Sequence, residues 1–141
     1  MKDRLPVRIL EQNGRIKATT SVSQLKSKSG SIRQDMGYIE FDYSVTTKVV
    51  ENIWKGIQEH KGKKVDPRVY WLAGDYMLVF LRRIDSLGYY LVDQNETLGK
   101  SIGFSETSVR RIIAFRRRFP DIARVDPAIS WVKYRENKMP Y

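Results

Sequence analysis

Between positions 105 and 114 the residues Ser105, Glu106, Thr107, Arg110, Arg111 and Ala114 fall on one side of a helix, and Val109, Ile112 and Ile113 fall on the other. The first set suits the reading of nucleic-acid bases. An arginine fork can grip the acceptor edge of guanine with two hydrogen bonds, and a threonine can meet a base edge or the thymine methyl. Arg116, Arg117 and Arg118 continue the same stretch, and Lys100 precedes it. These cations suit phosphate oxygens, which position a protein on a duplex without reading its sequence. Lys26 and Lys28, in a polar run upstream, are further candidates for phosphate contact.

Bond-making chemistry finds little support. The chain has no cysteine and one histidine, His60. Thiolate zinc sites and cysteine nucleophiles are therefore excluded within it, and a Ser-His-Asp triad is disfavoured. Glu40 and Asp42 form one acidic pair, expected to face solvent or to salt-bridge with basic helices. Pro120-Asp121 and Glu136-Asn137-Lys138 spell out the letters of a magnesium-dependent nuclease motif. That chemistry needs carboxylates at the ends of adjacent strands, whereas both pieces fall at expected helix ends. The reading is of a non-enzyme with no catalytic residue, metal or cofactor.

The elements that must position the cationic face start with a corner. Leu98 and Ile102 lie four apart on one helix, with Gly99 beside them for close approach of a second helix. Gly103 supplies a left-handed turn, Phe104 plugs it, and Ser105 caps the helix that follows. This is helix-turn-helix spacing, in which the second helix enters the major groove. That helix is expected to end before Pro120, with Arg116 to Arg118 also suiting the negative pole of its dipole.

Upstream, Asn13-Gly14 between two β-like runs predicts a hairpin. Alternation over Gly37–Val45 predicts a third strand. Thr46 or Thr47 is expected to cap a helix running to about His60, and Asp66-Pro67 to start one ending at Gly88. Asp75 within it is expected at the helix margin or paired with an arginine. After Asp126-Pro127 a last helix is expected, with Ile129 and Val132 inward and Trp131 or Tyr134 closing the core edge. The fold class is α+β, mostly α: a small N-terminal antiparallel sheet (residues 1–45) on a helical unit (residues 46–141), the two forming one compact body.

The formal charge of +10 is unevenly spread. Residues 1–45 hold eight basic groups against five acidic, residues 46–99 eight against seven, and residues 100–141 ten against four. The excess thus accumulates on the second helix and beyond it, where it attracts a polyphosphate. No apolar run is long enough to span a bilayer and no leader is evident, so a cytoplasmic location (host cytoplasm for a viral protein) and no membrane partner are expected.

Gly103-Phe104-Ser105, the Phe115–Pro120 segment, and Ser130-Trp131 with Tyr134-Arg135 resemble the helical N-terminal domain that precedes a PD-(D/E)XK nuclease module in a group of prokaryotic proteins. Tyr70-Trp71 to Gly74 fits the same pattern. The likeness covers roughly residues 46–137 and implies a helical DNA-binding module without the nuclease. The leading expectation is a duplex-DNA-binding protein serving transcription, replication or partition, of a kind that often dimerises to reach paired half-sites. The alternatives are a single-strand binder that stacks bases on Tyr38, Phe41, Tyr43, Trp54, Trp71, Tyr89, Tyr90 or Trp131, and a non-catalytic subunit of a nucleoprotein complex.

Overall fold

The computed structural model describes residues 4–20, 29–59 and 65–136. It is an α+β structure, mostly α. Strands β1 (Leu5–Gln12) and β2 (Arg15–Thr19) form the expected hairpin. Asn13 and Gly14 both adopt positive φ, 52° and 75°. Two such residues give the turn whose twist matches that of paired strands.

The third strand is not where alternation placed it. Residues 37–45 lie inside one long helix, α1 (Ser29–Glu59). The sheet is completed instead by β3 (Tyr89–Leu91), parallel to β1 with Leu5 opposite Tyr89 and Val7 opposite Leu91. The sheet is therefore mixed, in the order β2-β1-β3, rather than antiparallel throughout. Ile32, Met36, Ile39, Tyr43, Val50 and Ile57 form a buried stripe at helical spacing along α1. Thr46 and Thr47 do not cap a helix start. Both are buried, and the Thr47 hydroxyl donates to the Tyr43 carbonyl one turn back at 2.8 Å. The boundary expected after residue 45 thus falls in mid-helix, and Val7 and Ala18 of the strands share one core with the helices.

Side-chain bonds fix α1 on both flanks. The Glu40 carboxylate accepts the Ala18 amide of β2 at 2.8 Å. Asp42 receives a two-pronged Arg83 at 2.8 and 2.9 Å. The acidic pair of the sequence therefore sits on a helix, not on a strand, and each member has a structural partner.

Helix α2 (Arg68–Ser86) is the central one, in contact with α1, β3 and the second helix of the corner. Its start is as expected: Asp66 Oδ1 accepts the Arg68 amide at 3.0 Å while Pro67 has helical φ. Ala73, Met77, Leu78, Phe80 and Ile84 are buried, whereas Leu72 and Tyr76 face outward. Helices α3 (Gln94–Ile102) and α4 (Glu106–Arg118) follow, then a 3-10 turn (Ile122–Arg124) and α5 (Trp131–Arg135). Asp126 does not start α5. It closes a local turn by accepting the Ala128 amide at 2.9 Å, and Ser130 caps the helix instead. Val132, expected inward, is exposed, because Tyr134 takes the inward position among Phe115 and Phe119.

Two glycines distinguish these placements. A Cβ on Gly74 would stand 2.8 Å from the Ile112 carbonyl oxygen and 2.9 Å from the Arg116 Cβ, whereas one on Gly37 would meet nothing. Gly74→Ala is expected to lower stability by about 2 kcal/mol through overpacking. Gly37→Ala is expected to raise it by about 0.8 kcal/mol, since Gly37 lies within an exposed helix face. Urea denaturation of both variants checks the pair, and a loss of stability in Gly37→Ala would contradict a helix at that position.

Candidate nucleic-acid interface

The corner is built by two glycines with different tasks. A Cβ on Gly99 would lie 2.6 Å from the Phe104 carbonyl oxygen, so the missing side chain is what lets the chain fold back on α3. Gly103 has φ 92°, and its amide donates to the Gly99 carbonyl at 2.8 Å. Phe104 is buried edge-on against Trp54, with ring centres 4.5 Å apart. Ser105 then starts α4: its hydroxyl oxygen accepts the Ser108 amide at 3.0 Å.

Helix α3 is tied to α1 by Tyr43. The Tyr43 hydroxyl donates to the Thr97 carbonyl at 3.2 Å and is paired with the Ser101 hydroxyl. Burial pushes this phenol up to about 12, against the smaller opposing effect of the Ser101 hydrogen bond. Tyr89 donates to Asp35 Oδ2 at 2.6 Å, and desolvation followed by that carboxylate raises its pKa as well.

Along α4 the two faces separate as the spacing requires. Val109, Ile112, Ile113 and Phe115 are buried. Ser105, Glu106, Thr107, Arg110, Arg111 and Ala114 are all exposed. Arg110 and Arg111 make no hydrogen bond or ion pair among the described residues. Two guanidinium groups within the first two turns of an exposed helix can reach the floor of a groove, given a helix about 20 Å long.

The arginines further along do not form one phosphate-gripping set. Arg116 turns inward: its side chain is only 11% exposed, it pairs with Asp75 at 2.9 Å, and its guanidinium lies 4.6 Å from the centre of the Trp71 ring. Its expected role in holding phosphate is therefore replaced by a structural one. The position falls on the α2 side of the helix, where Gly74 leaves room for it. Asp75 gains the arginine partner expected for it. Arg118 donates to the Tyr134 carbonyl at 2.8 Å and lies over Phe119. Arg117 is exposed. Lys100 is exposed and linked to Glu96 one turn back at 3.1 Å. Lys26 and Lys28 lie outside the described residues, as does His60.

Most of the rings considered for base stacking are occupied. Tyr43, Trp71 and Tyr89 are buried. The Trp71 indole donates to the Phe119 carbonyl at 2.6 Å. Trp131 stacks flat on Tyr70 at 4.2 Å. Tyr38, Phe41 and Tyr90 remain exposed, the first two on the solvent face of α1 and not on α4. The nuclease-like letters are likewise engaged elsewhere. Asp121 caps the 3-10 turn by accepting the Ala123 amide at 3.0 Å, and Glu136 pairs with Arg135. Among the described residues no three acidic or histidine side chains are placed to hold a metal ion. No described helix is long and apolar enough to cross a membrane.

Sequence spacing gave no hint of Arg82 and Gln94, which line a cleft beside α4 with Arg117 and Tyr90. They come from α2, β3 and the start of α3, so no local periodicity joins them. No protein-family model, curated protein or solved structure matches the chain.

Two expected outcomes follow from the anchors of the corner. Tyr43 has a folded-state pKa above its unfolded value, so its contribution to stability is complete below about pH 10 and is lost as pH rises through about 12. The stability difference between wild type and Tyr43→Phe should therefore be flat at neutral pH and shrink above pH 10, read by denaturant titration across that range. Arg116→Ala should cost about 2 kcal/mol, because it strands a half-buried Asp75 and uncovers Trp71. The matching measurement is the shift of the thermal midpoint, which in Arg117→Ala should stay close to wild type.

Proposed function

We propose that the chain is a non-enzymatic, duplex-DNA-binding protein that reads sequence through a helix-turn-helix formed by α3 and α4. The observation that carries this reading is the outward, unpaired display of Arg110 and Arg111 beside Thr107, on a helix whose opposite face is closed by Val109, Ile112 and Ile113. Arg110, Arg111 and Thr107 contact base edges. Arg117, Lys100 and the outer part of Arg118 contact phosphates, while Arg116 holds the helix in place. The charge excess of residues 100–141 draws the polyanion to this face. The resemblance of the Gly-Phe-Ser corner and the Ser-Trp segment to the domain found ahead of PD-(D/E)XK nucleases supports the same reading. A cytoplasmic transcription, replication or partition factor, bound as a homodimer to paired half-sites, is the setting in which such a module works.

The single-strand reading has less support, since five of its eight rings are committed to packing or stacking within the protein. The subunit reading draws on Tyr38, Phe41 and Val45, three exposed apolar residues along the middle of α1, with Phe41 70% exposed.

Selection from randomised duplex should return a consensus. Arg110→Ala or Arg111→Ala should then weaken consensus binding by about 1–3 kcal/mol each and relax the preference at one base position. Arg117→Ala should weaken consensus and random duplex alike and flatten the salt dependence. Equal losses on every sequence for all three variants would remove base reading from the proposal.

A further inference from the structure

Beside α4, between the C-terminal half of α2, β3 and the first turn of α3, lies a cleft of about 350 Å³. Its floor is apolar, made by Leu78, Leu81 and Leu91. Its rim carries Arg82 from α2, Tyr90 from β3, Gln94 from α3 and Arg117 from α4. The volume lies within the range of small-molecule sites. Arg117 stands seven residues from Arg110 on the same edge of α4, about 10 Å along the axis. The cleft therefore opens from the flank of the base-reading face.

The groups on the rim define a ligand class. The guanidinium groups of Arg82 and Arg117 make no hydrogen bond or ion pair among the described residues, and both are exposed. The acidic residue of the cleft, Asp85, is matched by Arg4 at 2.5 Å, so it leaves the two arginines uncancelled. Two arginine forks at one concave site suit the oxygens of a phosphate. The Tyr90 ring is about half exposed and offers a flat apolar surface. The Gln94 amide nitrogen donates one N–H to Asn95 Oδ1 at 3.0 Å, and its second N–H and its oxygen can serve a base edge. An inorganic anion would leave ring and floor unused, and a purely apolar ligand would strip water from two cations without replacing it.

We propose that this cleft binds one nucleoside monophosphate unit, with phosphate on Arg82 and Arg117 and base on Tyr90 and Gln94. The unit can be a free nucleotide or an unpaired nucleotide of a nucleic-acid chain, since both present the same phosphate and ring. The inference shares Arg117 with the duplex reading above, where it contacts phosphate, but not the base-reading pair, since neither Arg110 nor Arg111 lines the cleft.

The test is an amide-resolved NMR titration of the whole chain with adenosine monophosphate, adenosine, and inorganic phosphate, each alone. The nucleotide should move the signals of Arg82, Tyr90, Gln94 and Arg117 saturably, and each half-ligand should need at least about tenfold more. Arg82→Ala and Tyr90→Ala should each weaken nucleotide binding about tenfold with the remaining spectrum unchanged. Arg110→Ala should leave it untouched, which separates this site from base reading on α4. To tell the sources apart, blunt duplex is compared with the same duplex carrying one unpaired 5′ nucleotide. Tighter binding of the overhang, lost in Tyr90→Ala, identifies a chain-borne nucleotide; equal binding with a positive nucleotide titration identifies the free one. Absence of cleft shifts together with no overhang preference would overturn the proposal. So would shifts reproduced at equal concentration by inorganic phosphate, or nucleotide binding indifferent to Arg82→Ala.

Discussion

Helix α4 can lie against α2 only because position 74 has no side chain. Its backbone comes so near that even a methyl group would press on the Ile112 carbonyl oxygen. This closeness fixes the rotation of α4. Val109, Ile112, Ile113 and Phe115 enter the core, each worth about 1.5–3 kcal/mol on burial. A turn of the helix by one residue would exchange some of them for arginines whose charges would lose water without gaining partners. The orientation of the cationic face is therefore decided by what the other face must bury. The neighbouring pair of Asp75 and Arg116 reinforces the rotation, since it meets only when the helices are this close.

The uneven fate of the arginines on α4 follows from the same geometry. Charge counting treats positions 110, 111, 116, 117 and 118 alike, but the helix distributes them around its circumference. Arg116 reaches the α2 margin and becomes part of the structure, covering Trp71. Arg118 spends a donor on the Tyr134 carbonyl and so joins α4 to the end of α5. Positions 110, 111 and 117 are left to act on the surroundings. A cluster of cations in a sequence is thus divided between holding a helix and displaying it, and the division depends on contacts with residues far away in the chain.

The corner was legible because its requirements are local. Gly99, Gly103 and Ser105 each answer a need set by neighbours within five positions, and the spacing of Leu98, Ile102, Val109 and Ile112 defines the buried side. The hairpin was legible for the same reason, through Asn13-Gly14. The stretch at 37–45 misled because Ile39, Phe41, Tyr43 and Val45 are β-prone residues in alternation. The helical signal is longer: Ile32, Met36, Ile39, Tyr43 and Val50 recur at intervals of three, four or seven, and they run through Thr46 and Thr47 without a break. Packing of that stripe against α2 and the sheet overrode local preference. Strand β3 was missed because three residues between turns carry no period, and its partner β1, adjacent in the sheet, lies at the far N-terminal end of the sequence. The exposure of Val132 was illegible too, since only the docking of Tyr134 decides which residue of a five-residue helix points inward.

The parallel pairing of Leu5–Val7 with Tyr89–Leu91 has a consequence for how the protein assembles. A hairpin can close as soon as its second strand exists, and α1 can wind as it emerges from the ribosome. The inner edge of β1 has to wait until β3 has been synthesised, with most of the chain intervening. Closing so large a loop costs entropy before it returns any contact, and it slows folding accordingly. Because β3 leads directly into α3, the same late event that completes the sheet also anchors the entrance to the corner. The pairing thus adds a long-range hold on the entrance to the corner, beside the contacts that Tyr43 and Trp54 make with it from α1.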